Sequence, residues 1–354
     1  MNILHISRTM GQGGAEKVVY QLCKEKTNNI TMIIASTGGY YEELLTDAGT
    51  KHYNIPDLEC KNPIQMIKTY LTLHKIIIYE KIDIIHSHHR MAAFYSKILT
   101  YFHPHIKRVY TAHNVFNNKK ELTKFSLQGS TIIACGNGVK TNLVNFFKIN
   151  PKNIKIIYNS IENDTQNTIG LEFQNYKNKI LIGTIGRLTE QKGIDVFIRS
   201  LEPIIKKNNQ VYGIIIGDGE LKSELIQLTR ELRINNNVKF LGFKSNVLEL
   251  IRSLDFLILA SRWEGFPLTP IEAFSEKKTI IATNISGNNE IVVNNYNGLL
   301  FEKDNATQLT ERINYLITNK SVREKLEKNA FNDYIKKYSY STFIKKYYKI
   351  YKSL

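Results

Sequence analysis

The feature that most constrains this chain is a pattern that runs through it twice: short apolar, β-branched runs, each followed by a segment of helical periodicity. In the first half, runs suited to strands fall at residues 3–7, 31–35, 82–86, 108–111, 131–135 and 154–158. Helical patterns separate them at 15–26, 63–79, 91–101 and 137–147. The second half begins again, with strands expected at 180–186, 211–216, 238–241, 256–260 and 279–282, and helices at 194–207, 220–232, 270–275 and 306–319. Such alternation predicts parallel sheets with crossover helices, so an α/β chain of two doubly wound domains. The 354 residues suffice for two cores at roughly 100–200 residues each. Residues 159–178 are polar, rich in Asn and Gln, and without period. The expected division is an N-terminal domain at 1–165, a linker at 166–178, a C-terminal domain at 179–335, and a helical tail at 336–354 that packs back on the N-terminal domain.

Composition narrows the setting. No apolar run reaches the roughly 18–20 residues needed to span a bilayer, and no basic leader precedes the first apolar run. Cys23, Cys60 and Cys135 are odd in number and form no C-x-x-C, which argues against a disulfide framework or structural zinc. A cytoplasmic chain is expected. The net charge of +16 points to polyanionic partners: nucleic acid, diphosphate compounds or an acidic membrane surface. The excess is dispersed rather than held in one block, and no aromatic RNA-binding signature accompanies it, so nucleic acid is not expected. Over residues 329–354, six tyrosines are interleaved with lysines. That pattern suits a lipid headgroup boundary, but tyrosines packed on the protein body with solvated lysines are the favoured reading.

Open α/β sheets bind ligands beyond the carboxyl ends of their strands, so chemistry is sought in the loops that follow them. Gly11-Gln12-Gly13-Gly14-Ala15-Glu16 follows the first strand and opens a helix, a place where a ligand can come close to the backbone. It lacks the G-x-G-x-x-G spacing of a dinucleotide site. All nine histidines lie within residues 1–113. His86 and His88 end one strand, and His113 follows another within Thr111-Ala112-His113-Asn114. No carboxylate or thiolate stands at a spacing that would complete a metal site, so no metal is expected.

The second half is denser. Gly186-Arg187-Leu188 and Lys192-Gly193 place two cations on a glycine-flanked loop, suited to charge developing on a departing diphosphate. Gly217-Asp218-Gly219 ends another strand in a turn. Glu264-Gly265-Phe266-Pro267-Leu268-Thr269-Pro270-Ile271-Glu272 follows the strand at 256–260 and offers two carboxylates around a helix start. Thr269-x-x-Glu272 also reads as a capping box, with Pro270 at the first helical position, which would explain Glu272 structurally.

Taken in order, these motifs resemble those of the family 4 retaining glycosyltransferases. The series also includes Ile157-Tyr158-Asn159-Ser160-Ile161 and Asn297-Gly298-Leu299-Leu300. The resemblance implies the GT-B fold, two Rossmann-like domains facing each other across a cleft. It implies transfer of a sugar from a nucleoside diphosphate sugar, a UDP-sugar first of all, to a hydroxyl of a glycan or lipid-linked acceptor. Retained configuration and no metal or other cofactor are expected with it. By the same resemblance, Arg187 and Lys192 grip the diphosphate and Glu272 the ribose. Glu264 and the backbone of Gly265, Phe266, Pro267, Leu268 and Thr269 bind sugar and phosphates, with Gly217 beside them. His113 and Gly14 line the reaction centre, and Gly13, Glu16, His86 and His88 face the acceptor. His113, Glu264, Arg187 and Lys192 are the catalytic set. The implied setting is capsule, lipopolysaccharide or glycolipid assembly, at the inner face of the plasma membrane. Two departures are visible: Ser286-Gly287-Asn288-Asn289-Glu290 where the family has Gly-Gly-x-x-Glu, and Ser160 where it commonly has Gly. The rival readings are an epimerase or phosphorylase of the same fold, and a basic membrane- or nucleic-acid-binding protein.

Overall fold

A computed structural model describes residues 1–25, 29–162, 173 and 176–354. The chain forms two units, Met1–Asn159 together with Ser341–Leu354, and Ser160–Tyr340. Most of the expected linker, residues 166–172 and 174–175, lies outside the described residues.

The first unit holds a seven-stranded sheet in the order β3-β2-β1-β4-β5-β6-β7, every neighbouring pair parallel. Its strands are β1 (Asn2–Ile6), β2 (Thr31–Ser36), β3 (Lys51–Asn54), β4 (Ile84–Ser87), β5 (Lys107–Ala112), β6 (Thr131–Ala134) and β7 (Ile154–Ile156). The helices are α1 (Gly14–Cys23), α2 (Tyr40–Asp47), α3 (Pro63–Tyr79), α4 (Arg90–Phe102), α5 (Lys120–Leu127) and α6 (Asn137–Asn145). Strands covered on both faces need apolar residues on both, and Ile3, Leu4 and Ile6 of β1 are each fully buried. The order reverses between β1 and β4, which makes the carboxyl ends of those strands the switch point where such sheets take ligands.

The second unit repeats the plan with six parallel strands in the order β10-β9-β8-β11-β12-β13. They are β8 (Ile180–Ile185), β9 (Val211–Ile216), β10 (Val238–Gly242), β11 (Phe256–Leu259), β12 (Ile280–Thr283) and β13 (Leu299–Phe301). The helices are α7 (Ile194–Lys207), α8 (Lys222–Glu231), α9 (Val247–Ser253), α10 (Thr269–Ser275), α11 (Asn288–Ile291), α12 (Ala306–Thr318) and α13 (Lys320–Asp333). Phe197 of α7, Ile215 of β9 and Phe256 of β11 share one core cluster with Leu309, Ile313 and Leu316 of α12. Here the switch point lies between β8 and β11.

The structure moves several boundaries. Residues 160–162 were expected in the N-terminal domain, but Ile161 bridges Ser339 and its carbonyl accepts from the Tyr334 hydroxyl at 3.0 Å, which ties it to the second unit. The tail helix, α14 (Tyr340–Lys352), begins after a π-helical turn at Tyr334–Tyr338. Its Tyr347 and Tyr351 are buried in the first unit, and its lysines at 345, 346 and 349 are exposed. The capping box at Thr269 is not formed. Thr269 is already helical, Leu268 stands at the cap with αR backbone and no side-chain bond, and the helix therefore starts one residue earlier than the pattern requires.

Candidate functional site

In the second unit the two loops at the switch point are laced to each other. Lys192 Nζ lies 2.6 Å from Glu264 Oε1, and the Ser261 hydroxyl donates to the same oxygen at 2.7 Å. Both charged side chains are largely withdrawn from solvent, at 16% and 7% exposure. The short turn that carries Lys192 is held by Arg262. Its guanidinium pairs with Asp195 and Asp304, each at 2.7 Å, and donates to the Glu190 carbonyl at 2.8 Å. The pairing with Asp195 raises the Arg262 pKa above its ordinary value. Gln191 adds a bond to the Trp263 carbonyl at 2.9 Å. Sequence reasoning missed Arg262, because its partners are distant in the chain.

Arg187 stands on the loop after β8, exposed, and its side chain has no ion pair or hydrogen bond among the described residues. An uncommitted guanidinium beside a buried ion pair is a fitting cation for an incoming anion. The loop at Gly217 packs against the same turn. Gly217 has φ +138°, and a Cβ there would fall 1.9 Å from the Gly186 carbonyl oxygen, so only glycine permits this approach. Asp218 is occupied locally, accepting from the Gly219 amide at 2.8 Å and from Lys222 Nζ at 2.7 Å.

The segment Gly265–Thr269 is mostly buried and leads into α10, whose first turn carries Glu272 at 7% exposure. A carboxylate suits that position, since the helix dipole favours negative charge there. The segment is braced by Gly287, whose φ of +93° and contact with the backbone of Glu264 and Gly265 leave no room for a side chain. The departure from the family pattern at 286–290 thus retains the one glycine that touches this loop.

In the first unit, the parallel pairing of β1 with β4 sets His5 opposite His86, and the loops beyond add His88 and His113. His5 Nδ1 is 3.0 Å from His88 Nε2, and His88 Nδ1 is 3.2 Å from His113 Nε2. The three rings therefore share one tautomeric choice: fixing the proton on one fixes the next. At the ends of this chain, His5 Nε2 and His113 Nδ1 have no partner among the described residues. Burial lowers the His5 pKa to about 3 and that of His113 to about 4. His86 and His88 are driven well below their ordinary range by burial first and by neighbouring imidazoles second.

His86 sits beneath this chain, wholly buried, with Nδ1 2.7 Å from the Tyr351 hydroxyl and Nε2 2.7 Å from Thr111 Oγ1. Both nitrogens are occupied, which removes His86 from the acceptor-facing set expected from the sequence and makes it a support. His5, His86 and His88 bring ring nitrogens within 4.8 Å of one another, the grouping a divalent ion would take. Their ring nitrogens bond to each other, to Tyr351 and to Thr111, and His5 Nε2 is left without a partner among the described residues. Gly13 caps α1 and Gly14 is its first residue. Glu16 folds back to accept from Thr9 Oγ1 at 3.0 Å.

The family model Glycosyltransferase Family 4 matches residues 12–165, and Glycosyl transferases group 1 matches residues 168–333. The UDP-Gal:alpha-D-GlcNAc-diphosphoundecaprenol alpha-1,3-galactosyltransferase of Escherichia coli is 24% identical over 363 residues, 94% of this chain and 92% of that one. A glycosyltransferase from Rickettsia africae ESF-5 superposes with a TM-score of 0.88 at 25% identity, covering 99% and 98% of the two chains. HepE of Anabaena, solved in complex with UDP-glucose, gives a TM-score of 0.86 at 20% identity over 100% of each chain.

Proposed function

The chain belongs to the family 4 glycosyltransferases, with a group 1 module as its second half, and we propose that it transfers a sugar from a UDP-sugar to a hydroxyl of a lipid-linked glycan, with retention and without a metal. The observation that carries the reading is the pairing of Lys192 with Glu264 beside the uncommitted Arg187, at the switch point of the second sheet. Two cations at that point can take up the charge of a diphosphate as it leaves. Glu272, in the first turn of α10, is assigned to the ribose, and Glu264 to sugar hydroxyls once its partner lysine turns to phosphate.

In the step proposed, the bond from the anomeric carbon to the phosphate oxygen breaks as the acceptor oxygen bonds to the same face. The acceptor proton passes to the departing phosphate. Among the residues assigned to the site, no pair of carboxylates takes the roles of a retaining hydrolase, so electrostatic stabilisation rather than a covalent intermediate carries the rate. His113, neutral at physiological pH, offers Nδ1 as donor or acceptor to a sugar hydroxyl, and the imidazoles behind it hold the tautomer. Gly13, Gly14, Glu16 and His88 are assigned to the surroundings of that contact.

Two relatives support the proposed substrate class. The E. coli enzyme is named for a UDP-sugar and a diphosphoundecaprenol acceptor, and HepE was solved with UDP-glucose. An epimerase or phosphorylase would use the same cations but no glycan acceptor. The test is to offer UDP-glucose, UDP-galactose and UDP-N-acetylglucosamine with and without a polyprenyl-diphosphate-linked sugar. UDP release that requires the acceptor, with a new glycan on it, supports transfer. UDP release with no glycosylated product, or an altered sugar still on UDP, contradicts it.

A further inference from the structure

Helix α3 (Pro63–Tyr79) is amphipathic in the wrong sense for a surface helix: it is apolar on both sides. Its inner face buries Thr69, Leu73, Ile76 and Ile77 against the first unit's core. Its outer face carries Ile64, Ile67, Leu71 and Ile78, exposed by 75%, 60%, 49% and 59%. At 3.6 residues per turn these four fall within about 60° of arc, directly opposite the buried face. The apolar surface continues onto the end of α4, where Phe102, 67% exposed, meets the Tyr70 ring edge-on at 6.2 Å.

Exposed Lys68 and Lys75 run along one side of the stripe, and Lys61 precedes the helix. The helix contains no Asp or Glu. No packing requirement explains the outer isoleucines, since the inner face already docks the helix. A contiguous apolar stripe bordered by cations marks an interaction surface.

We propose that the outer face of α3 docks on an anionic lipid surface, with the isoleucines entering the acyl boundary and the lysines meeting headgroup phosphates. The charge pattern selects this occupant over a second copy of the chain, because a self-complementary contact on this stripe would bring its own lysines together without a carboxylate to receive them. The tail helix is not the lipid contact: Phe343, Tyr347, Ile350 and Tyr351 of α14 are buried, which leaves its lysines outside without an apolar face beside them. No helix among the described residues is long and apolar enough to cross a membrane, so α3 would lie in the surface plane. The inference rests on the proposed reaction and deepens it, in that a lipid-linked acceptor would be met at the same surface.

The experiment is flotation of the full-length protein with vesicles of phosphatidylcholine, alone or mixed with phosphatidylglycerol. The unaltered protein is expected to float with the mixed vesicles and to be released by salt. Ile67→Ser with Leu71→Ser is expected to weaken that binding at least about tenfold, since several buried methylenes are lost. Lys68→Glu with Lys75→Glu is expected to abolish the preference for phosphatidylglycerol, and Lys345→Glu with Lys346→Glu to change little. All variants should release UDP from UDP-sugar with a water-soluble acceptor as the parent does, so a failed docking and a failed reaction read separately. Undiminished flotation of both α3 pairs, no flotation of the parent, or a parent dimer that Ile67→Ser with Leu71→Ser splits would each overturn the proposal.

Discussion

Lys192 Nζ and Glu264 Oε1 are 2.6 Å apart, and that contact joins the loop after β8 to the loop after β11 across the switch point of the second sheet. The cation expected to hold a diphosphate is thus kept neutralised until an anion arrives to share it. Lys192→Ala removes that charge and strands a carboxylate that is only 7% exposed. It is expected to lower kcat/KM at least about tenfold, or roughly 1.4 kcal/mol. It is also expected to lower stability by about 1–3 kcal/mol, part of which Glu264→Gln restores in the double variant. Chemical denaturation of the four proteins checks the coupling; additive losses contradict it.

Arg262 touches no proposed ligand position, yet it fixes the turn on which Lys192 stands through Asp195, Asp304 and the Glu190 carbonyl. Arg262→Ala is expected to raise the donor KM more than it lowers kcat, with partial rescue by Arg262→Lys. Lysine keeps the charge but not the forked geometry, so full rescue would show that charge alone matters. Steady-state kinetics in varied UDP-sugar separate the outcomes.

Gly287→Ala is expected to disturb the sugar-binding loop from a distance. A Cβ there would lie 2.8 Å from the Gly265 carbonyl oxygen, and the φ of +93° strains any side chain. A destabilisation of about 1–3 kcal/mol with weaker donor binding is the expected result, measured by thermal unfolding with and without UDP. An unchanged gain in melting temperature from UDP would contradict the bracing role.

The histidine cluster gives stability a defined pH dependence. The folded pKa values of His5 and His113, about 3 and about 4, lie below the ordinary 6.5, so the unfolded chain binds more protons between those limits. The contribution of these two histidines is therefore full above about pH 6.5 and falls as pH drops below it, by at most about 1.4 kcal/mol per pH unit for each. His5→Gln is expected to shallow that slope in urea unfolding at about pH 7.5 and about pH 5. Identical slopes in the parent and variant would contradict burial of a neutral His5.

Much of this architecture was legible because parallel strands covered on both faces read as apolar runs. α3 and α7 fall on the expected residues, 63–79 and 194–207, as does β9 at 211–216. The elements that escaped are short or polar. β3 reads Lys-His-Tyr-Asn at a sheet edge, β13 has three residues, α2, α5, α9 and α11 have eight residues or fewer, and α13 is dominated by charged and polar residues. Lys192 and Glu264 were visible as motif residues, but their contact was not, because it spans 72 positions. His5 was overlooked for the same reason: only the register of β1 against β4 brings it to His86 and His88. The outer stripe of α3 carried a clear signal in its helical spacing, concealed by an equally apolar inner face.

The central claim is sugar transfer driven by side-chain cations of the second unit. It is tested most directly by NMR of the product formed from a UDP-sugar and a polyprenyl-diphosphate-linked acceptor in the presence of a chelator, for the parent, Arg187→Ala and Lys192→Ala. The account predicts a new glycosidic bond of retained configuration from the parent, formed without added metal, and a rate lower by at least about tenfold in each variant. Transfer that depends on Mg²⁺ or Mn²⁺, an inverted product, or unchanged rates in both folded variants would contradict it.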